Sequence, residues 1–200
     1  DSVASILEIG PGLGHSTLAH WSLNPNLEVV VNVDIPPVLY LETQFLKAIP
    51  ELEVIDYRET REQQRIEIGP AADGRLRVYA LAPWQVGRIE GEFDLTLNAA
   101  SFQEMTPEIC RAYAAEIVPR TRRAVMLHCG DPRDQQAQTK YWQNTTISPT
   151  ELVGLFADSF PSREIVDGGW YRLFPSDRYV PIILSRPEHA NPKVDASSPR

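Results

Sequence analysis

The stretch that decides the fold is residues 7–17, which read LEIGPGLGHST. An apolar run over residues 3–9 leads into it, and a run typical of a helix, residues 15–23, follows it. Glycines let a backbone turn tightly and approach a ligand without a Cβ clash. The amino terminus of the helix behind them offers free N–H groups to an anion. The stretch therefore predicts a strand, a ligand-binding turn and a helix in succession.

The rest of the chain alternates strands with helices. Residues 27–33 (LEVVVNV) form a second buried strand, and a proline at 36 or 37 suits the first turn of a helix that runs to residue 49. This alternation predicts an α/β fold with a mostly parallel sheet and helices on both faces. Further strands are predicted over residues 77–81, 93–98, 124–129, 163–166 and 179–185, and further helices over 107–118 and 149–160.

A chain of 200 residues is the length of one domain, which we place at residues 1–186. Within it, residues 51–76 are interpreted as an insertion, because a densely charged stretch (56–65) typical of a solvated helix or loop is followed by turn signals. The polar residues 187–200 are expected to form a disordered tail. The chain lacks an initiator Met and its main motif comes at once, so we expect a preceding segment in the full-length protein.

Charge and cysteine content exclude several classes of protein. There are 19 basic and 27 acidic residues, a net charge of −8, which disfavours binding to nucleic acid or to anionic membranes. Two cysteines, Cys110 and Cys129, are too few for a disulfide framework. No apolar run approaches the roughly 18 residues of a membrane span. We therefore expect a cytoplasmic protein whose partner is a small molecule.

The nature of that small molecule is indicated by two carboxylates. Asp34 ends the second strand, where an acidic residue accepts hydrogen bonds from ribose hydroxyls. A dinucleotide site has the spacing G-x-G-x-x-G, whereas this loop has G-x-G-x-G. Glu8 would face a pyrophosphate unfavourably, but it suits a ligand with an ammonium and a sulfonium, which are the features of S-adenosylmethionine. A nicotinamide-dependent oxidoreductase is the weaker alternative, since the sequence also lacks a Tyr-x-x-x-Lys pair.

Residues 8–14 (EIGPGLG) resemble the first motif of class I S-adenosylmethionine-dependent methyltransferases. Three more segments, 33–36 (VDIP), 81–85 (LAPWQ) and 93–105 (FDLTLNAASFQEM), are similar to the sugar O-methyltransferase family within that class. The resemblance covers most of residues 6–129. It implies a Rossmann-like fold with a seven-stranded sheet, S-adenosylmethionine as cofactor, S-adenosylhomocysteine as product, and O-methylation of a sugar or another small hydroxylated metabolite.

The resemblance also implies which residues surround the cofactor. Glu8 and the glycine loop border the methionine end, Asp34 holds the ribose and Ile35 lies along the adenine. Many class I enzymes have an acidic residue after the third strand, but Ala82-Pro83-Trp84 stands here, so backbone groups and apolar contacts would hold the adenine. The cofactor residues predicted in this way are Glu8, Gly10, Pro11, Gly12, Gly14, Asp34, Ile35, Ala82, Trp84 and Asn98.

Methylation of a hydroxyl needs a base, because the hydroxyl proton must leave. Glu104, which follows the fourth strand, is the first candidate, and the alternative is a carboxylate that favours the dipole of the next helix. His128, which ends the fifth strand, titrates in the right range, but a buried structural histidine is the favoured alternative. Ser101, Gln103 and Trp170 are candidate substrate ligands, with loop capping and core packing as their alternatives.

Metal ligation has little support in the sequence. There is no C-x-x-C or H-E-x-x-H motif, and the pair Asp131 and Asp134 is typical of a solvated loop. Two other functions stay open. One is a catalytically inactive module that binds S-adenosylmethionine, since such folds specify binding better than reaction. The other is methylation of a protein or nucleic acid, which the net charge and the Ala99-Ala100 pair after Asn98 disfavour.

Overall fold

The computed structural model describes residues 2–129, 147–157, 159–165 and 179–186. The strands are β1 (Ser5–Ile9), β2 (Val29–Val33), β3 (Leu52–Ile55), β4 (Ile66–Glu67), β5 (Leu76–Leu81), β6 (Ile89–Glu90), β7 (Phe93–Ala99), β8 (Thr121–Cys129), β9 (Ser162–Ile165) and β10 (Tyr179–Ser185). The α-helices are α1 (His15–Leu23), α2 (Pro36–Lys47), α3 (Tyr57–Thr60), α4 (Pro107–Ile117) and α5 (Pro149–Phe156), and three 3-10 helices span Pro83–Arg88, Phe102–Glu104 and Val118–Arg120.

Eight of the strands form one sheet in the order β3-β5-β2-β1-β7-β8-β10-β9, while β4 and β6 pair separately. Strand β10 runs antiparallel to β8 and β9, and the other pairings in the sheet are parallel. The predicted mostly parallel sheet is therefore confirmed. Over the described residues this sheet has eight strands rather than the expected seven, because β3 continues the edge beyond β5. That strand lies within residues 51–76, the segment predicted to be an insertion.

The central strands are buried on both faces, which is why their sequences are continuous apolar runs rather than alternating ones. In β1, Ile6 packs into one apolar cluster with Val30 and Val78, while its neighbour Leu7 packs into another with Val31. Successive side chains of a strand point to opposite faces. The two clusters therefore lie on opposite faces of the sheet, and the helices that cover them bury all of β2 and all of β1 beyond its half-buried first residue, Ser5.

The start of the charged stretch 56–65 is buried, contrary to the expectation of a solvated segment. Asp56 caps α3 by accepting hydrogen bonds from the Arg58 amide at 3.0 Å and from the Arg58 guanidinium, and Lys47 lies 3.3 Å from its Oδ2. A carboxylate tolerates burial when opposite charges and donors surround it. Thr60 is buried too, whereas residues 61–65 are exposed as predicted.

Helix α5 begins at a capping box and is shorter than predicted. Ser148 accepts a hydrogen bond from the Glu151 amide at 3.3 Å, and the Glu151 carboxylate accepts one from the Ser148 amide at 3.0 Å. The helix ends at Phe156, four residues before the predicted end, and Phe160 beyond it is buried. Among the described residues, none of the helices is both long and apolar enough to span a bilayer.

Strand register places the candidate site. Val33 at the end of β2 pairs with Ile9 of β1 on one side and with Leu81 of β5 on the other. The amide of Asp34 donates to the Leu81 carbonyl at 3.2 Å. Because the carboxyl ends of parallel strands meet at one edge, the segments that follow β1, β2, β5 and β7 converge there.

Candidate cofactor site

The loop between β1 and α1 has an unusual backbone. Gly10, Gly12 and Gly14 have φ angles of 75°, 64° and 79°, all in the left-handed region that side chains with a Cβ disfavour. The Gly10 amide donates to the Val33 carbonyl at 2.8 Å, which draws the loop over the end of β2. Three alternating glycines therefore fold residues 10–14 into a tight turn at the edge where the strands end.

Gly10 also lies against the segment that follows β7. A Cβ at Gly10 would overlap the side chain of Ser101. The Ser101 hydroxyl and the Asn98 amide both donate to the Ile9 carbonyl at 2.9 Å, and the Asn98 carbonyl accepts from the Phe102 amide at 3.2 Å. These contacts fasten the segment after β7 to the end of β1. Asn98, predicted to bind the cofactor, and Ser101, predicted to bind the substrate, therefore also have a structural role within the chain.

Asp34 faces the glycine loop. Its Oδ2 accepts from the Gly12 amide at 3.2 Å and its Oδ1 from the Ile35 amide at 2.7 Å. Partial burial raises the pKa of this carboxyl, and the two amide bonds oppose the rise. Each carboxylate oxygen can accept more than one hydrogen bond. Asp34 thus lies next to the loop, where a pair of ribose hydroxyls could still bind to it.

Glu8 is a buried carboxyl beneath the same loop. Its Oε2 accepts a hydrogen bond from the Ser16 hydroxyl at 2.7 Å. Burial raises its pKa to about 7, the Ser16 bond opposes the rise and the nearby Asp34 carboxyl adds to it. A positive ligand would favour the ionised forms of Glu8 and Asp34, because an opposite charge nearby stabilises the charged form. The electrostatics of the loop therefore suit a cation better than an anion.

A third carboxyl lies behind the loop and is not among the residues predicted from the sequence. Glu42 of α2 is 0% exposed and accepts a short hydrogen bond from the side-chain amide of Asn32. That amide also donates to the Thr17 hydroxyl at 2.8 Å. Burial raises the pKa of Glu42 to about 8; the Asn32 bond opposes this, and the carboxyls of Asp34 and Glu8 reinforce it.

Two signals in the sequence point to this cluster. Asn32 interrupts the apolar strand VVVNV, and a buried strand residue with a polar side chain must find a partner. Glu42 falls between Leu39 and Leu46, which lie on the buried face of α2. A charged residue at such a position needs a hydrogen-bond partner or loses its charge.

Two of the apolar side chains that are predicted to contact adenine are exposed. Ile35 is 55% exposed and Trp84 is 58% exposed, so both offer surface to a ligand. Trp84 lines a groove of about 540 Å³ between the 3-10 helix Pro83–Arg88 and α4, together with Ile109 and Tyr113. Ala82 is fully buried, and its amide donates to the Gln85 side chain at 2.8 Å.

The candidate catalytic residues differ in their accessibility. Glu104 is exposed at the end of the 3-10 helix that follows β7. Gln103 donates to the hydroxyl of the buried Tyr179 at 3.2 Å. His128 is 1% exposed and pairs with Val180 across the sheet, so it is much less accessible than Glu104.

Three residues of interest, Trp170, Asp131 and Asp134, fall outside the described residues. Over the described ranges, no group of three or more His, Cys, Asp and Glu side chains lies in an arrangement that could hold a metal ion. The predicted role of Trp170 in substrate binding stays a prediction, and so does the interpretation of the aspartate pair as part of a solvated loop rather than a metal site.

Solved methyltransferase structures have the same fold. The pyocyanin biosynthetic protein PhzM is 14% identical, with 92% of this chain and 51% of that chain covered and a TM-score of 0.58. Human N-acetylserotonin methyltransferase in complex with S-adenosylmethionine is 14% identical, with 92% and 48% covered and a TM-score of 0.57. Magnesium protoporphyrin IX methyltransferase of Synechocystis, with bound S-adenosylmethionine, is 10% identical, with 92% and 70% covered and a TM-score of 0.57.

These similarities confirm the predicted Rossmann-like class I methyltransferase fold. The chain spans about half the length of the first two proteins. Comparisons with protein-family models and with curated proteins find no match. At 10–14% identity the shared property is the fold, and the ligand and the reaction depend on the residues of this chain.

Proposed function

We propose that the chain binds S-adenosylmethionine and transfers its methyl group to a hydroxyl oxygen of a small metabolite. The observation that carries this proposal is the pairing of a glycine loop with two carboxyls, Glu8 and Asp34, which lie close enough together that Asp34 raises the pKa of Glu8. A negative pair suits the ammonium and sulfonium of this cofactor. The same pair would repel the pyrophosphate of a dinucleotide.

The cofactor has a matching group for each part of the site. The first turn of α1 has no side-chain cap, so its free amides suit the cofactor carboxylate. Asp34 suits the ribose hydroxyls, and the exposed faces of Ile35 and Trp84 suit the adenine. Similar solved structures hold this cofactor, which supports the assignment without deciding it.

When bound, S-adenosylmethionine supplies an electrophilic methyl group and a neutral thioether as the leaving group. The chain contributes a base and a fixed geometry, and aligning two reactants removes a large entropic cost. We assign the base to Glu104, because it is exposed in the segment after β7, whose Ser101 lies against Gly10, whereas His128 is buried. Ser101 and Gln103, in the same segment, are the proposed contacts for the acceptor, a sugar or another small polyhydroxylated metabolite.

Calorimetric titration with S-adenosylhomocysteine tests the cofactor assignment. We expect saturable binding by the wild type, weakened at least about ten-fold (about 1.4 kcal/mol) in Asp34→Ala. The matched control is Asp73→Ala, which removes an exposed aspartate paired with Arg75 in a turn remote from the loop. Titration with NAD⁺ should show no binding. Binding of NAD⁺ in place of S-adenosylhomocysteine would overturn the proposal.

Transfer of a labelled methyl group to a panel of hydroxylated sugars tests the reaction. Replacing Glu104 by glutamine should lower kcat by about 10²–10⁴-fold, which is the usual contribution of a general base. A chain that binds S-adenosylhomocysteine but methylates none of the panel would favour the inactive binding module. An undiminished kcat in Glu104→Gln would remove this residue from the mechanism.

A further inference from the structure

Three elements meet behind the glycine loop through one set of buried polar side chains. Thr17 belongs to the first turn of α1, Asn32 to β2 and Glu42 to α2, and all three are 0% exposed. The Asn32 amide donates to both of the others, at 2.8 Å to the Thr17 hydroxyl and by a short bond to Glu42 Oε1. The strand is thereby tied to the helix that follows the loop and to the helix that follows Asp34.

Glu42 also touches the loop itself. A Cβ at Gly14, the last glycine, would lie 3.1 Å from Glu42 Cγ and 3.2 Å from Leu46 Cδ1. The φ of Gly14 is +79°, so this residue turns the chain into α1 with its bare Cα against Glu42. The position of the Glu42 side chain therefore affects both ends of the turn into α1: Gly14 by packing and Thr17 by the bond through Asn32.

Two oxygens in this set have no hydrogen-bond partner: Asn32 Oδ1 and Glu42 Oε2. An ionised carboxylate only accepts hydrogen bonds, so it would leave both oxygens without a donor. A protonated Glu42 carboxyl has one O–H, which can donate to Asn32 Oδ1, while the Asn32 amide donates to Glu42 Oε1. The two side chains then satisfy two acceptors with two donors. The geometry therefore fits a neutral Glu42, because unsatisfied buried acceptors are costly.

The charges around Glu42 favour the same state. The carboxyls of Asp34 and Glu8 both act on it, and both are negative when ionised. On α1, His15 is exposed and its ring contacts Phe45. On α2, Lys47 is directed to ion pairs with Asp56 and Glu59.

We propose that Glu42 is a positioning residue of the cofactor site, whose buried, protonated carboxyl joins α2 to β2 and α1 and keeps the glycine loop in its ligand-binding shape. The inference extends the proposed function, on which its ligand rests. Loss of the proton puts a third negative charge beside Glu8 and Asp34 and removes the donor that Asn32 Oδ1 requires. The loop then loosens, and affinity for the cofactor falls at alkaline pH.

Hydrogen–deuterium exchange of residues 10–18 tests the positioning role without any ligand. Since the pKa of Glu42 is about 8, a pH of about 9.5 ionises it almost completely. After correction for intrinsic exchange rates, the wild-type loop should lose protection by about ten-fold or more between pH 7 and 9.5. In Glu42→Gln, which keeps the shape of the neutral carboxyl, the same change in pH should have less than about a third of that effect.

Two further variants control the comparison. Thr17→Val removes the hydroxyl at the far end of the set, so it should lower protection at both pH values and leave their ratio as in the wild type. Glu28→Gln changes an exposed glutamate elsewhere and should leave both protection and ratio unchanged. The two variants separate general loosening of the fold from an effect of the Glu42 proton.

Titration with S-adenosylhomocysteine on the same samples links the loop to binding. The ratio of Kd at pH 9.5 to Kd at pH 7 should be at least about ten in the wild type and clearly smaller in Glu42→Gln. The amino group of the ligand titrates equally with both proteins, so it does not affect the comparison.

The outcomes distinguish this inference from the proposed function. Parallel loss of loop protection in the wild type and in Glu42→Gln would overturn the positioning role, whether or not the ligand binds. Loop protection that depends on Glu42, in a protein that does not bind S-adenosylhomocysteine at either pH, would support the positioning role and refute the cofactor assignment.

Discussion

Replacing Glu42 by glutamine should make the folded chain more stable at neutral and alkaline pH. Glutamine keeps the size of the side chain and the acceptor for Asn32, and it supplies an N–H donor where the carboxyl needs a proton. The wild type must hold a proton on Glu42 that a free glutamate has already released. The variant has no such requirement, so its advantage should grow with pH.

The size and sign of the effect follow from the two pKa values. The pKa of Glu42 is about 8 in the folded chain, against 4.5 for an unperturbed glutamate. Below pH 4.5 Glu42 is protonated in both the folded and the unfolded state, so it does not reduce the free energy of unfolding. As pH rises towards 8, the unfolded state releases the proton first, and the folded state loses about 1.4 kcal/mol per pH unit. Between pH 5 and 8 the loss is about 3.5 kcal/mol, since the folded state is itself half ionised at pH 8.

Urea denaturation followed by circular dichroism at pH 5, 6, 7 and 8 measures this difference. The free energy of unfolding of Glu42→Gln, minus that of the wild type, should rise by at least about 2 kcal/mol over the range, allowing for partial hydration of the buried site. Glu8, whose pKa is about 7, also lowers the free energy of unfolding as pH rises, but it does so in both proteins. Its effect therefore largely cancels in the difference between them. Parallel stability curves for the two proteins would refute the assignment of a buried, protonated Glu42.

Other outcomes follow from particular contacts. Gly12→Ala should cost only about 1–2 kcal/mol of backbone strain, since nothing lies within 4 Å of its Cβ position. Gly10→Ala should cost more, because its Cβ would overlap Ser101. Thermal melting of the two variants compares these costs. Asp56→Ala should remove about 1 kcal/mol through the lost cap of α3. Because the pKa of Asp56 is lowered to about 2, this loss should be present above pH 4 and shrink as pH falls towards 2 in urea titrations. S-adenosylhomocysteine at a hundred times its Kd should stabilise the chain by about 2.7 kcal/mol, and NAD⁺ should not.

The fold was predictable because its signals are local. The apolar runs that became β1 and β2 are continuous, since both faces of each strand are covered, and the prolines before α2 and α4 mark where those helices begin. The tight turn of the glycine loop was also predictable, because the left-handed φ angles of Gly10, Gly12 and Gly14 favour a residue without a Cβ.

The extra strand and the buried cap of α3 were not predictable in the same way. Strand β3 has only four residues and forms by pairing with β5, which lies more than twenty positions further along the chain. Asp56 belongs to a stretch whose composition is typical of solvated segments, and its burial depends on Lys47 and Arg58 reaching it. A strand or a buried charge whose partner is supplied by chain folding leaves no recognisable pattern in the neighbouring sequence.

By itself, then, the sequence determined most of the strands and helices, where the ligand loop lies, and that Asp34 stands at the end of the neighbouring strand. These follow from side-chain periodicity and from glycine and proline, which act on the chain within a few residues. Only the tertiary structure decided that Glu8, Asp34 and Glu42 share one small volume and that His128 is buried. Proton affinity depends on burial and on charges brought close in space, and both arise only when distant segments pack together.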